Sequence, residues 1–229
     1  MSRRKEQVRN KHVKNANVLS TIKEFKAKTK GQANYIRTII ENDITFCHGL
    51  PGTGKTACAV GLAVQYLVRE NVEKIVITRP IVAASIKPLG ALPGGVKEKI
   101  DPYLMPIYDE LESYLGKIKV SQLIRDGIIV IAPLELMRGA NFHNAFIILD
   151  EAQNCTPAQL KMFVTRIGQN SKMVVNGDTE QCDLKKDESG ALSEFINKLS
   201  KVEGVGVAEL TSADIQRSAI IGRILTALA

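Results

Sequence analysis

The chain has 229 residues, a length that suits one well-buried domain with small additions and argues against two large ones. Its net charge of +7 is unevenly spread: residues 1–30 hold ten Lys or Arg against two acids, a balance of +8, and the remaining 199 residues sum to −1. No apolar run approaches the roughly 20 residues that cross a bilayer, and the polar, basic start lacks the apolar segment of a secretory signal, so the composition predicts a cytoplasmic protein without a membrane span.

Residues 1–28 read as a basic, flexible arm, either a nucleic-acid contact or a solvating tail, with a single domain over 29–229. A short helical pattern through Tyr35, Ile36, Ile39 and Ile40 leads into a strand at Ile44–Cys47. Helix formers over Ala57–Arg69 follow, then a strand at Lys74–Thr78 and a long loop with Pro80, Pro88 and Pro93. Residues 97–115 read as helix divided or kinked by Pro102 and Pro106, and a helix near 119–125 precedes a strand at Ile128–Ala132. Ala145–Leu149 is apolar throughout, as befits a parallel strand covered on both faces. Thr156-Pro157 opens a helix over Ala158–Ile167, Ser171–Asn176 is the next strand, and 189–202, 205–210 and 213–228 read as helix, strand and terminal helix. Strands alternating with helices predict an α/β fold, a mostly parallel sheet with helices on both faces.

Between the first strand and its helix stands Gly49-Leu50-Pro51-Gly52-Thr53-Gly54-Lys55-Thr56, followed by Ala57. This is the full G-x-x-x-x-G-K-[ST] phosphate-loop pattern in a strand-loop-helix context. The whole stretch is therefore the candidate nucleotide-binding segment, with loop N–H groups and a helix terminus meeting phosphate charge. Lys55 is placed to contact the β- and γ-phosphates, and the Thr56 hydroxyl to ligate Mg²⁺. Asp150 ends the apolar strand and is the second candidate metal ligand; Glu151, next to it, is the candidate general base for attack by water. The four cysteines, Cys47, Cys58, Cys155 and Cys182, and the three histidines lack the paired spacing of a zinc site, and the thiols read as structural.

These motifs occur together with Thr78-Arg-Pro80, Leu89-Gly90, Leu92-Pro93-Gly94, Lys97–Leu104, Met137-Arg-Gly139, Leu149-Asp-Glu-Ala-Gln153, Thr165-Arg166 and Gly177-Asp178 with Gln181. The combination, spanning about residues 29–227, closely resembles the PhoH-like family of phosphate-loop ATPases. That resemblance implies a RecA-like fold similar to the first motor domain of superfamily 1 helicases. It also implies an ATPase using ATP and Mg²⁺, coupled to binding or remodelling of single-stranded RNA or DNA, with helicase activity as an analogy. Gln32 is implied as a reader of the adenine edge, Gln153 and Gln181 as γ-phosphate sensors, and Arg217 as a catalytic arginine reaching phosphate across a subunit boundary. A homohexamer follows from the same resemblance, since a single motor core lacks the opposing wall that closes around ATP. Arg79 and Arg166 are open between phosphate stabilisation, a nucleic-acid surface and loop anchoring.

Three departures concern substrate engagement and subunit coupling: the segment Ile81–Lys87 has no acid, and Ala140 and Ser218 stand where the family carries Arg and His. The compact size and variant loops resemble viral members, for which the location would be host cytoplasm. A different reading is an ATP-regulated ring that acts on a protein partner without unwinding nucleic acid. Kinase chemistry is disfavoured by the Asp150-Glu151 and Gln181 arrangement.

Overall fold

The computed structural model describes residues 25–81, 96–179 and 191–216, with only the helical backbone given for 96–102. Helix α1 (Lys30–Glu41) leads into β1 (Ile44–Gly49), α2 (Lys55–Val68) and β2 (Lys74–Arg79). Helices α3 (Val96–Leu115) and α4 (Lys117–Arg125) precede β3 (Ile129–Pro133) and β4 (Ala145–Leu149). After α5 (Pro157–Val164) come β5 (Lys172–Gly177), α6 (Ala191–Leu199) and β6 (Val205–Leu210).

The six strands form one parallel sheet in the order β3-β2-β4-β5-β1-β6. Side chains alternate along each strand, and the alternation divides the core in two. Cys47, Ile75, Ile77, Phe146, Ile148 and Val174 pack beneath α1 to α4. Phe46, Val76, Ile147, Leu149, Met173 and Val175 pack against α5 and α6. Helices thus cover both faces, which makes this a RecA-like phosphate-loop NTPase fold. No described helix is long and apolar enough to cross a membrane.

Several boundaries differ from the sequence pattern. Helix α1 begins five residues before Tyr35, because the Thr29 hydroxyl accepts the Gln32 N–H at 3.1 Å and caps the first turn. Pro102 and Pro106 do not divide α3, which is one helix of 20 residues. Helix α5 stops at Val164, three residues short, as the chain turns to pair Phe142 with Ile167. The start of the expected terminal helix is instead a short 3-10 turn, Ser212–Asp214, closed by the Thr211 N–H donating to the Asp214 carboxylate at 2.9 Å; residues 217–228 lie outside the described residues.

Residues 25–28 fall within the expected arm, yet Phe25 is docked. Its ring meets Tyr114 edge-on at 6.2 Å, and its carbonyl accepts from Gln65 Nε2 at 3.0 Å. Gly61 in α2 makes the slot: a Cβ there would sit 2.5 Å from the Phe25 ring. The rest of the arm, residues 1–24, lies outside the described residues.

Candidate nucleotide site

The carboxyl ends of parallel strands are where an open α/β sheet places its ligands, and here the ends of β1, β2, β4 and β5 supply the polar groups. Gly49, Gly52 and Gly54 have φ of 147°, 81° and 88°. At Gly49 the requirement is also steric, since a Cβ would lie 2.0 Å from the Leu210 carbonyl oxygen. Gly54 is the N-cap of α2 and brings no side chain to the cap, so the first N–H groups of the helix face the loop and form an anion-binding terminus.

The loop is braced internally and from both sides. Thr53, fully buried, donates its hydroxyl to the Leu50 carbonyl at 2.8 Å. Lys55 Nζ donates to the carbonyls of Gly49 and Leu50 at 2.5 and 3.0 Å. Gln32 is buried over Gly54; its Nε2 donates to the Thr53 carbonyl at 2.9 Å and its Oε1 accepts from the Lys28 N–H at 2.8 Å. The Gln216 N–H donates to the Gly52 carbonyl at 3.0 Å. Pro51 is exposed at the tip of the loop, and the Ala57 carbonyl accepts from the Tyr114 hydroxyl.

Residues far apart in sequence meet opposite this loop. The Thr56 hydroxyl donates to Asp150 Oδ1 at 2.8 Å, across 94 residues. Asp150 is buried, continuing the ladder through its N–H to the Thr78 carbonyl at 2.9 Å. Arg79, at the end of β2, places Nη2 at 2.8 Å from Asp150 Oδ2 and at 3.3 Å from Glu151 Oε1. Glu151 has φ 57° and ψ 41°, a left-handed conformation that costs a non-glycine residue about 1–2 kcal/mol. Such strain persists where the surroundings hold it, and it recurs at functional sites. Gln153 provides part of that hold: its Nε2 donates to Glu151 Oε2 at 2.6 Å, and its Oε1 accepts from the Asp178 N–H at 3.0 Å.

Among the described residues no group of three or more His, Cys, Asp or Glu side chains is suited to a metal ion. Thr56 and Asp150 instead form the donor set of a hard cation that keeps waters and shares phosphate oxygens, the habit of Mg²⁺. The residues present therefore fit that ion in partnership with a nucleotide.

The structure separates the three arginines left open by the sequence. Arg79 is in the site. Arg138 is exposed after the short 3-10 turn Leu134–Met137, beyond the carboxyl end of β3. Arg166 lies at the other end of the sheet, its carbonyl accepting from the Phe142 N–H just before β4 and its guanidinium bonded to Met162 and Thr165. That position removes it from phosphate chemistry in this subunit. Gln181 and Arg217 lie outside the described residues.

The sequence reading missed a clasp behind the loop. Buried Asp214 accepts hydrogen bonds from the Thr29 hydroxyl and the Thr211 N–H. The Thr29 hydroxyl, followed by backbone N–H groups, holds its carboxyl below the usual carboxylate range. Gly31 permits the approach, since a Cβ there would fall 2.4 Å from both carboxylate oxygens. The Thr211-x-x-Asp214 spacing of a capping box was the available signal. Beneath the loop, the fully buried Tyr35 hydroxyl donates to Asn176 Oδ1 at 2.5 Å. Burial pushes the Cys58 thiol up to about 12 and raises Cys47 and Cys155 further, which makes all three inert and agrees with structural thiols; Cys182 lies outside the described residues.

Comparisons with known proteins agree with this geometry. The sequence model of the PhoH-like protein family matches residues 24–229. A PhoH-like protein of Bacillus subtilis is 45% identical over 205 residues, covering 90% of this chain and 64% of that protein. A PhoH-like protein of Synechocystis is 46% identical over 202 residues, 88% of this chain and 61% of that one. The protein PhoH of Escherichia coli is 40% identical over 203 residues, 88% and 57%. The chain thus spans about three-fifths of the length of these curated relatives. Among solved structures, the large terminase of the thermophilic bacteriophage D6E superposes with a TM-score of 0.53 at 13% identity, over 88% of this chain and 50% of that one. Its complex with ADP gives 0.52 at 14%, with the same coverage. With its phosphate loop, its acid pair and nine-tenths of its length matched, the chain belongs to the PhoH-like protein family.

Proposed function

We propose that this chain is an Mg²⁺-dependent ATPase whose hydrolysis is coupled to binding or remodelling of single-stranded RNA or DNA. The observation that carries the reading is the 2.8 Å contact between Thr56 and Asp150, which joins a phosphate-loop hydroxyl to an acid at the end of a neighbouring strand. The fold likeness to a terminase that has been seen with ADP supports a nucleotide as ligand.

In this reading the N–H groups of Gly52 to Thr56 and the α2 terminus bind the phosphates, and Lys55 adds a cation at the β- and γ-positions. Mg²⁺ held by Thr56 and Asp150 supplies charge neutralisation on the phosphate oxygens. Glu151, about half exposed, accepts a proton from the attacking water, and Gln153 orients it. Gln32 braces the Thr53 carbonyl and lies beside the adenine side of the loop; Gln181 senses the γ-phosphate. Arg217 is assigned to the phosphate of a neighbouring subunit in a homohexameric ring, where it stabilises charge on the transferring group. Polymer contacts are assigned to the basic arm and to exposed Arg138, through backbone phosphates and without base reading.

The deciding experiment is ATP turnover with and without defined single-stranded RNA, single-stranded DNA and duplex. Stimulation by a single-stranded polymer, weakening with added salt, is the expected result. Turnover without any polymer response would remove the nucleic-acid half and leave the ring acting on a protein partner. A monomer sedimenting at full activity would remove the trans role of Arg217.

A further inference from the structure

Asp150 has both carboxylate oxygens engaged: Oδ1 accepts from the Thr56 hydroxyl, and Oδ2 is 2.8 Å from Arg79 Nη2. The same nitrogen lies 3.3 Å from Glu151 Oε1, so one guanidinium spans the whole acid pair. The Asp150 side chain is 3% exposed and that of Arg79 17%, so water screens their attraction little. Arg79 is steadied from behind by Nη1, which donates to the Tyr103 carbonyl in α3 at 3.1 Å. Its buried Nε, however, has no hydrogen-bond partner. A donor left in that condition is a standing penalty, relieved when the guanidinium gains an acceptor such as a phosphate oxygen.

We propose that Arg79 is a placeholder cation for the acid pair: it competes with the divalent ion for Asp150 and positions Glu151, so that metal enters only together with the phosphates that draw Arg79 away. The proposal rests on the ATPase reading for the role of these acids. It names a positioning residue that the phosphate-loop pattern does not contain. A divalent ion approaching Asp150 alone meets a fixed positive charge within hydrogen-bond distance of the oxygen it needs. An ion arriving with a triphosphate brings oxygens that accept the guanidinium, and the exchange conserves the number of charge-assisted contacts.

The test is Mn²⁺ binding to the full chain without nucleotide, read as loss of the free-ion paramagnetic resonance signal. Arg79→Gln keeps donors and removes the charge. It is expected to bind Mn²⁺ about tenfold more tightly than the wild type, because an opposite charge this close commonly shifts a carboxylate by one log unit or more. Adding Asp150→Asn to Arg79→Gln should abolish the gain; a gain that survives places the ion elsewhere and overturns the proposal. Arg79→Lys retains charge beside the buried acid and so protects the fold, but its single terminal nitrogen cannot span both carboxylates. It should tighten Mn²⁺ binding about threefold, and it decides the matter if Arg79→Gln does not fold. Wild-type Mn²⁺ affinity in a folded variant of either kind overturns the proposal. None of these readouts requires hydrolysis, so a chain that failed to turn over ATP would sink the functional reading while leaving the ion competition measurable.

Discussion

At the scale of single residues, Glu151 combines a strained backbone with two side-chain partners, Arg79 at 3.3 Å and Gln153 at 2.6 Å. A carboxylate fixed this way has a defined direction, which a general base needs more than it needs exposure. Glu151→Gln keeps the side-chain length and an acceptor for Gln153, and removes the base. It is expected to lower ATP turnover by about 10²- to 10⁴-fold with nucleotide binding retained, measured by steady-state hydrolysis and equilibrium titration of ADP. Persistent turnover would reassign the base. Glu151 stands out in sequence because it follows Asp150 at the end of an apolar strand. The Arg79 contact is not visible there, because it arises only when β2 and β4 lie side by side.

At the scale of elements, two chain ends hold the phosphate loop in place. The Thr29–Asp214 clasp lies between the start of α1 and the turn after β6. Because the Asp214 carboxyl lies below its unfolded value, its contribution is fully present above about pH 4 and is lost as pH falls through the lower, folded value. The wild type should therefore lose thermal stability below about pH 4 more steeply than Asp214→Asn; parallel melting curves across that range would show that the clasp contributes nothing.

The end of α2 offers a test in the opposite direction. Glu70 N–H donates to the Leu67 carbonyl and Asn71 N–H to Tyr66, the paired bonds of a Schellman ending, and Glu70 carries φ 56° in the position that favours glycine. Glu70→Gly should raise stability by about 1 kcal/mol, read by thermal or denaturant unfolding, and a loss would mean that the Glu70 side chain matters more than its backbone. A local helix pattern locates the end of α2 to within a residue, yet it says nothing of which residue adopts the left-handed turn.

At the scale of the whole molecule, the sheet divides the core into two clusters that share its strands. Phe146 lies fully buried on the α1–α4 side and meets Tyr66 edge-on at 5.3 Å. Phe146→Ala should cost about 3–5 kcal/mol, a large share of the 5–15 kcal/mol typical of a domain, and should lower the denaturant midpoint with the slope unchanged. A loss below about 1 kcal/mol would show that the site collapses around the missing ring. Because β4 also carries Asp150 and Glu151, this packing sets the height of the acids relative to the loop at the end of β1.

The sequence by itself determined the strand-helix alternation, the phosphate loop and the two acids, because each is written within one element: a period of two or 3.6, glycines at fixed spacing, a carboxylate after an apolar run. Only the tertiary structure decided which distant residues meet. Strand order β3-β2-β4-β5-β1-β6 brings Thr56, Arg79 and Asp150 to one end of the sheet and carries Arg166 to the other, a distinction absent from the local pattern around any of these residues. The same holds for Thr29 with Asp214, 185 residues apart, and for Phe25, whose place in the slot at Gly61 moved four residues from the expected arm onto the core. Periodicity specifies which face of an element is buried; parallel pairing and the packing of faces specify its neighbour.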